Sequence, residues 1–153
     1  MNNCIFCKIA GGEIDAVTIW EDEKFLAFLD INPNTEGMTL VIPKQHFDSD
    51  TFEMPQTAYL ELMSAAKKVS KLLKKGLSVD RVAMAMEGMG VDHAHIKLYP
   101  LHGIQREFRE MLAKDRIYFD KYEGYISTQL GPHAETDDLK EIAREIKKRI
   151  KST

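Results

Sequence analysis

Two imidazoles and an ammonium recur at every second residue of His93-Ala94-His95-Ile96-Lys97, a spacing that sets one nitrogen nucleophile between two polar neighbours. In an extended strand, residues two apart lie ~6 to 7 Å from each other on the same face. The alternation runs on to Tyr99, so a strand is expected over Val91 to Tyr99 with His93, His95, Lys97 and Tyr99 on one face and Ala94, Ile96 and Leu98 on the other. A neutral imidazole attacks through one ring nitrogen only if the other keeps its proton, usually in a hydrogen bond to a carbonyl. His95 holds the central position for that chemistry. A polar outer face over an apolar core alternates in the same way, so the run has a structural reading beside the chemical one.

Cys4-X2-Cys7 is the second chemical constellation and uses both cysteines of the chain. The start of the sequence lacks the basic residues and apolar stretch of a secretory signal, and no run reaches the length that spans a bilayer, so the expected location is the cytosol. In that reducing compartment three readings of the pair stand: a metal site, two unliganded buried thiols, or a redox pair. The strand-to-helix setting of a thioredoxin-type pair is missing around Cys4. His102 follows the histidine run as a loop residue, and His133 has no assigned role.

The elements that must position these groups read as α+β. Thr18-Ile19-Trp20 and Phe25 to Leu29, parted by Glu21-Asp22-Glu23-Lys24, form an expected hairpin, followed by a strand from Met38 to Ile42 after the loop Asn32 to Gly37. Pro55 opens a long helix with apolar residues Tyr59, Leu62, Met63, Ala66, Val69 and Leu73, and Gly76 is its expected C-terminal cap. Val82 to Met86 reads as a strand, Gly88-Met89-Gly90 as a tight loop, and the histidine strand as its hairpin partner. A short helix is expected around Phe108 to Leu112. A last helix starts at Thr136, with Asp137 and Asp138 in its first turn, a buried stripe of Leu139, Ile142, Ala143, Ile146 and Ile150, and Lys147, Lys148, Arg149 and Lys151 at its end. The order gives a mainly antiparallel sheet of about five strands, one long central helix and a C-terminal helix.

At 153 residues, 44% hydrophobic and 29% charged, the chain suits one domain spanning 1–153, with a core over about 3–104 and an extension with its helix over about 105–151. A formal charge of -3 offers no general attraction to nucleic acid or anionic membrane, so any phosphate must be bound by local groups.

Cys4-Ile5-Phe6-Cys7-Lys8-Ile9, Leu26 to Ile31, Leu40-Val41-Ile42-Pro43-Lys44-Gln45-His46 and the histidine strand together resemble the histidine triad (HIT) family in order and spacing over roughly the first hundred residues. The resemblance implies an enzyme that binds a nucleoside phosphate or dinucleotide, attacks its α-phosphorus with His95, and passes the nucleotide to water or another acceptor. It also implies a homodimer. His93 and Lys97 would flank the nucleophile. Phe6, Ile9, Phe28, Ile31 and Leu40 match positions lining the base pocket, with adenine as the default base, and Asp30 matches the ribose-binding carboxylate. An Asp there also suits the cap of the loop before Pro33. Backbone amides of Gly88, Met89 and Gly90 up to Val91 would cradle phosphate. In the bacterial-type branch, Cys4, Cys7, His46 and His93 would hold a structural zinc, a chemically ordinary set of two thiolates and two imidazoles.

Three departures from the family pattern bear on activity. Lys97 replaces the usual third histidine, Met38 stands where many relatives carry histidine, and Gly88-Met89-Gly90 replaces a glycine-glutamine-serine step. Lys97 offers hydrogen bonds and positive charge to a leaving oxygen, but proton exchange near neutrality requires burial or a cationic neighbour. A lysine that snorkels to solvent is its structural alternative. A nucleotide-binding sensor that kept the fold and zinc but lost turnover is therefore the second functional reading, and a purely structural zinc protein the third.

Overall fold

A computed structural model describes residues 3–150. They gather into two compact units that divide between Arg109 and Glu110.

In the first unit, β1 (Thr18–Glu21), β2 (Phe25–Leu29), β3 (Thr39–Pro43), β4 (Val82–Ala85) and β5 (Ile96–Pro100) form one sheet in the order β1-β2-β3-β5-β4, with every neighbouring pair antiparallel. Helix α1 (Ile5–Ala10) precedes the sheet, and α2 (Gln56–Leu77) joins β3 to β4 after a 3₁₀ turn at Thr51–Glu53. The fold is α+β, and the central strands β2 and β3 are apolar apart from the buried Thr39, because both faces of the sheet are covered. Phe25, Ala27, Val41, Ile96 and Leu98 pack with Leu62, Ala65, Ala66, Val69 and Leu73 of α2. Leu26, Phe28, Leu40 and Ile42 pack with Phe6 of α1 on the opposite face. Wholly buried residues such as Leu62 and Val69 each contribute about 1.5–3 kcal/mol. No helix among the described residues is long and apolar enough to cross a membrane.

Several local expectations are corrected. The histidine strand begins at Ile96, not Val91, because the main chain before it bonds elsewhere: the Ala94 amide donates to the Phe47 carbonyl and the His93 carbonyl turns to a side chain. Helix α1 was missed, since it is only six residues long and its N-cap is the sulfur of Cys4, which accepts from the Cys7 amide. Gly76 does not end α2. The helix continues to Leu77, which packs against the core, and Ser78 takes the left-handed conformation at φ 53°.

The second unit holds α3 (Thr136–Ile150). Its predicted stripe of Leu139, Ile142, Ile146 and Ile150 is exposed rather than buried, with Ala143 intermediate. The short helix expected at Phe108 to Leu112 does not form. Lys151 lies outside the described residues, as does the side chain of Arg149.

Candidate active site and metal centre

Four ligand atoms converge from three segments. The first turn of α1 places Cys4 and Cys7 on one side of the helix, the loop after β3 supplies His46, and the segment before β5 supplies His93. Their ligand atoms all lie within 4.8 Å of one another. Nδ1 of His93 is 3.4 Å from Cys4 Sγ and 3.5 Å from Cys7 Sγ, and Nδ1 of His46 is 3.4 Å from Cys7 Sγ. Sulfur and nitrogen bound to one tetrahedral zinc stand about 3.5–3.6 Å apart, from metal–ligand distances of about 2.3 and 2.0–2.1 Å. The three measured sulfur–nitrogen separations match that geometry. Nε2 of His93 lies 2.8 Å from the Pro43 carbonyl, so it carries the proton and turns the unprotonated Nδ1 to the sulfurs. Burial, and then the neighbouring Cys4, push the Cys7 thiol up, a penalty that a bound divalent cation reverses by taking the thiolate. Four protein ligands leave no open position, so zinc here is structural.

The same residue orients the candidate nucleophile. Nδ1–H of His95 donates to the backbone carbonyl of His93 at 2.7 Å, which fixes the tautomer and leaves the lone pair on Nε2. No buried side-chain nitrogen or oxygen among the described residues lacks a partner, so Nε2, unbonded in the structure, has access to solvent. His93 and His95 are otherwise enclosed, at 0% and 2% exposure. Burial is the main cause that lowers the His95 pKa from its ordinary value; Lys97 adds to it, and the His93 carbonyl, Glu87 and Asp30 oppose it. The ring therefore stays neutral near pH 7. Phe6 packs edge-on against both imidazoles, with centroids 5.8 Å from His93 and 5.5 Å from His95.

Lys97 neither snorkels nor meets a cation. Its Nζ lies 3.1 Å from a carboxylate oxygen of Glu87, with side chains only 22% and 10% exposed. Sequence reading missed Glu87. Its signal lies in the sheet register: Ala85 pairs with Lys97, so Glu87, two residues on, comes to the same face. Leu40 also pairs with Lys97 and Phe28 with Leu40, which puts the ammonium on the sheet face that carries Phe6.

Of the base-pocket candidates, Phe6, Phe28 and Leu40 are buried together and Ile9 packs on them half-exposed, whereas Ile31 is 90% exposed and joins no cluster. Asp30 is half-buried, and its side chain accepts from the Asn32 amide at 2.8 Å, the loop-capping role. Gly88 and Gly90 have φ of +73° and +90°, and Gly88 fits so tightly against the loop after β3 that a Cβ would sit 2.9 Å from the Ser49 carbonyl oxygen. Asp92 ties the same two loops together by accepting from the Ser49 amide at 3.0 Å, and that bond holds its carboxyl below the usual range. Neither contact was legible without the fold. His102 Nε2–H donates to the Glu36 carbonyl, 2.9 Å away in an exposed loop.

Comparison with known proteins places the geometry. The protein SMU.412c of Streptococcus mutans superposes with a TM-score of 0.70 at 32% identity, over 98% of this chain and 87% of that one. A zinc-bound histidine triad family protein of Mycobacterium smegmatis matches with a TM-score of 0.61 at 32% identity, over 72% of this chain and 84% of that one. Adenylylsulfatase HINT3 of Arabidopsis thaliana is 32% identical over 104 residues, which cover 65% of this chain and 52% of the plant protein. Residues 11–107 match the family profile described as the HIT domain, and the chain belongs to that family.

Proposed function

We propose that this protein is a nucleotide-binding hydrolase or nucleotidyl transferase that acts at the α-phosphate of a nucleoside phosphate or dinucleotide and releases a nucleoside monophosphate. One observation carries the reading: the Nδ1 proton of His95 is committed to the His93 carbonyl, which leaves an unbonded and accessible Nε2, and burial lowers the ring's pKa in the direction that favours the neutral form. Nε2 attacks phosphorus and forms a covalent nucleotidyl-histidine, which water or another acceptor then resolves. Lys97 supplies positive charge beside the reacting centre, and His93 positions the nucleophile through its carbonyl while its ring belongs to the metal cluster. Phe6, Ile9, Phe28 and Leu40 form the apolar wall for the base, Ile31 closes over it from the exposed loop, Asp30 takes the ribose hydroxyls, and the amides of Gly88, Met89 and Gly90 face the phosphates. The adenylylsulfatase activity named for the Arabidopsis relative supports chemistry at a nucleotide phosphate. In this reading the chain is a single HIT-like domain with a C-terminal extension, works as a homodimer in the cytosol, where its thiols stay reduced, and binds neither nucleic acid nor membrane.

The test is an incubation with dinucleoside polyphosphates, nucleotide sugars and adenosine phosphoramidate, followed by intact-protein mass spectrometry. A nucleotidyl adduct is expected on the wild type and not on His95→Ala, with nucleotide release by the variant at the uncatalysed background. Nucleotide binding without release by either protein would replace the enzyme with a sensor.

A further inference from the structure

We infer that Tyr99 is a second sugar-binding residue, whose hydroxyl donates to the ribose of the bound nucleotide from the wall opposite Asp30. The inference rests on the nucleotide reading proposed above, with Asp30 as the ribose carboxylate, and it names what further discriminates the sugar.

The sheet register brings the two residues to one slot. Thr39 pairs with Leu29 on one side and with Leu98 on the other. One step further along each strand, the Asp30 amide donates to the Met38 carbonyl at 3.0 Å, and Met38 comes opposite Tyr99, which pairs in turn with Ala83. Asp30, Met38, Tyr99 and Ala83 thus form a cross-strand row next to the row of Phe28, Leu40, Lys97 and Ala85. Residues two apart on a strand share a face, so Tyr99 lies with Lys97 on the Phe6 side of the sheet, whereas Leu98 packs with α2. Asp30 and Tyr99 rise from main chains about 9–10 Å apart, twice the strand spacing. Between them Met38, 6% exposed, makes an apolar floor. A sugar ring seated over that floor has one polar side chain on each flank.

The two flanks are chemically complementary. One carboxylate oxygen of Asp30 accepts from the Asn32 amide, and the lone pairs that remain accept a proton from a sugar hydroxyl. A hydroxyl that has given its proton away still offers lone pairs, and these call for a donor. Tyr99 supplies it. Its side chain is half-buried, yet its hydroxyl has no hydrogen-bond partner among the described residues and is open to solvent. Burial pushes the phenol up, with Lys97 opposing and Glu87 and Asp30 adding to it, so the proton to be donated is present at neutral pH. Asp30, Lys97 and Glu87 act on His95 as well, which places the phenol and the candidate nucleophile around one space. Lys97 stands between Tyr99 and His95 along the chain and meets Glu87 at 3.1 Å, so it serves the phosphate rather than the sugar.

The test is titration calorimetry of zinc-loaded wild type and Tyr99→Phe, first with adenosine and guanosine 5′-monophosphates and then with the 2′-deoxy and 3′-deoxy forms of whichever binds more tightly. Tyr99→Phe keeps the ring and removes only the accessible hydroxyl; Tyr99→Leu, equally without a hydroxyl, repeats the comparison if the first variant does not fold. One neutral hydrogen bond is worth about 3- to 10-fold in Kd, so the variant should bind the ribonucleotide more weakly by that factor. On the deoxynucleotide that lacks the hydroxyl met by Tyr99, wild type and variant should agree within about twofold. A phenol that merely supports the structure would weaken all three nucleotides alike and leave sugar selectivity unmoved. Equal loss on all three, or no loss on the ribonucleotide, overturns the inference and leaves the nucleotide reading standing. Wild-type protein that binds neither monophosphate overturns that reading, and this inference with it.

Discussion

Removing the metal from the Cys4-Cys7-His46-His93 cluster should cost stability that can be worked from the chain separations. Coordination ties Cys7 to His46 across 39 residues and to His93 across 86. Closing a loop of 39 residues removes about 13 cal/mol/K from the unfolded chain, or about 4 kcal/mol at 25 °C in the chain-entropy account. Metal retained by the unfolded Cys4-X2-Cys7 pair offsets part of this, leaving about 2–4 kcal/mol. At about 2–4 °C per kcal/mol for a chain of this size, Tm should fall by about 4–16 °C. The assay is thermal melting by far-ultraviolet circular dichroism of zinc-loaded protein, chelator-treated protein and Cys7→Ser, with metal content measured in parallel. Cys4→Ser is the informative companion, since a serine oxygen keeps the N-cap of α1 while weakening the metal site. Metal-free protein that melts within about 2 °C of the loaded form would refute the cluster as a clip between α1, the β3 loop and the segment before β5.

Two further outcomes follow from the same geometry. Attack requires neutral His95, and burial lowers its pKa, so the acid limb of the kcat/KM profile should turn below the ordinary imidazole value of about 6.5, with activity kept down to that pH; an inflection at or above it would exclude this imidazole. Gly88→Ala combines a φ of +73° with a Cβ 2.9 Å from the Ser49 oxygen, so it should destabilise by about 1–3 kcal/mol in urea unfolding, and a neutral result would show that the loop shifts freely.

Much of the sheet was legible because burial on both faces leaves an unmistakable mark: Phe25 to Leu29 and the Leu40-Val41-Ile42 run have no polar interruption. The long helix declared itself through Leu62, Ala66, Val69 and Leu73 at helical spacing. The cysteine and histidine ligands were found through motif resemblance, since their convergence from residues 4–7, 46 and 93 depends on tertiary structure alone. Period-two reasoning failed at His93 and His95 for an instructive reason. A side-chain hydrogen bond from His95 captured the His93 carbonyl, and the Ala94 amide went to Phe47, so ladder pairing stopped where the chemistry began. In α3 the amphipathic pattern of Leu139, Ile142 and Ile146 correctly announced a helix, but a stripe specifies only that a face is apolar, not that this chain covers it. Glu87 was hidden because a pairing ten residues apart needs the β4–β5 register to be known.

The members of the His93-His95-Lys97 row are held by unequal means, and that inequality governs which of them a substitution can reach. His93 and His95 are locked by main-chain groups, the Pro43 and His93 carbonyls, around an Ala94 methyl with no room to grow, at 0% exposure. No single side-chain replacement nearby can compensate for a change there. Lys97 is held by a side chain instead, through its 3.1 Å contact with Glu87 beyond the end of β4. The third position is thus the one whose side chain can be exchanged without disturbing a main-chain anchor of the row.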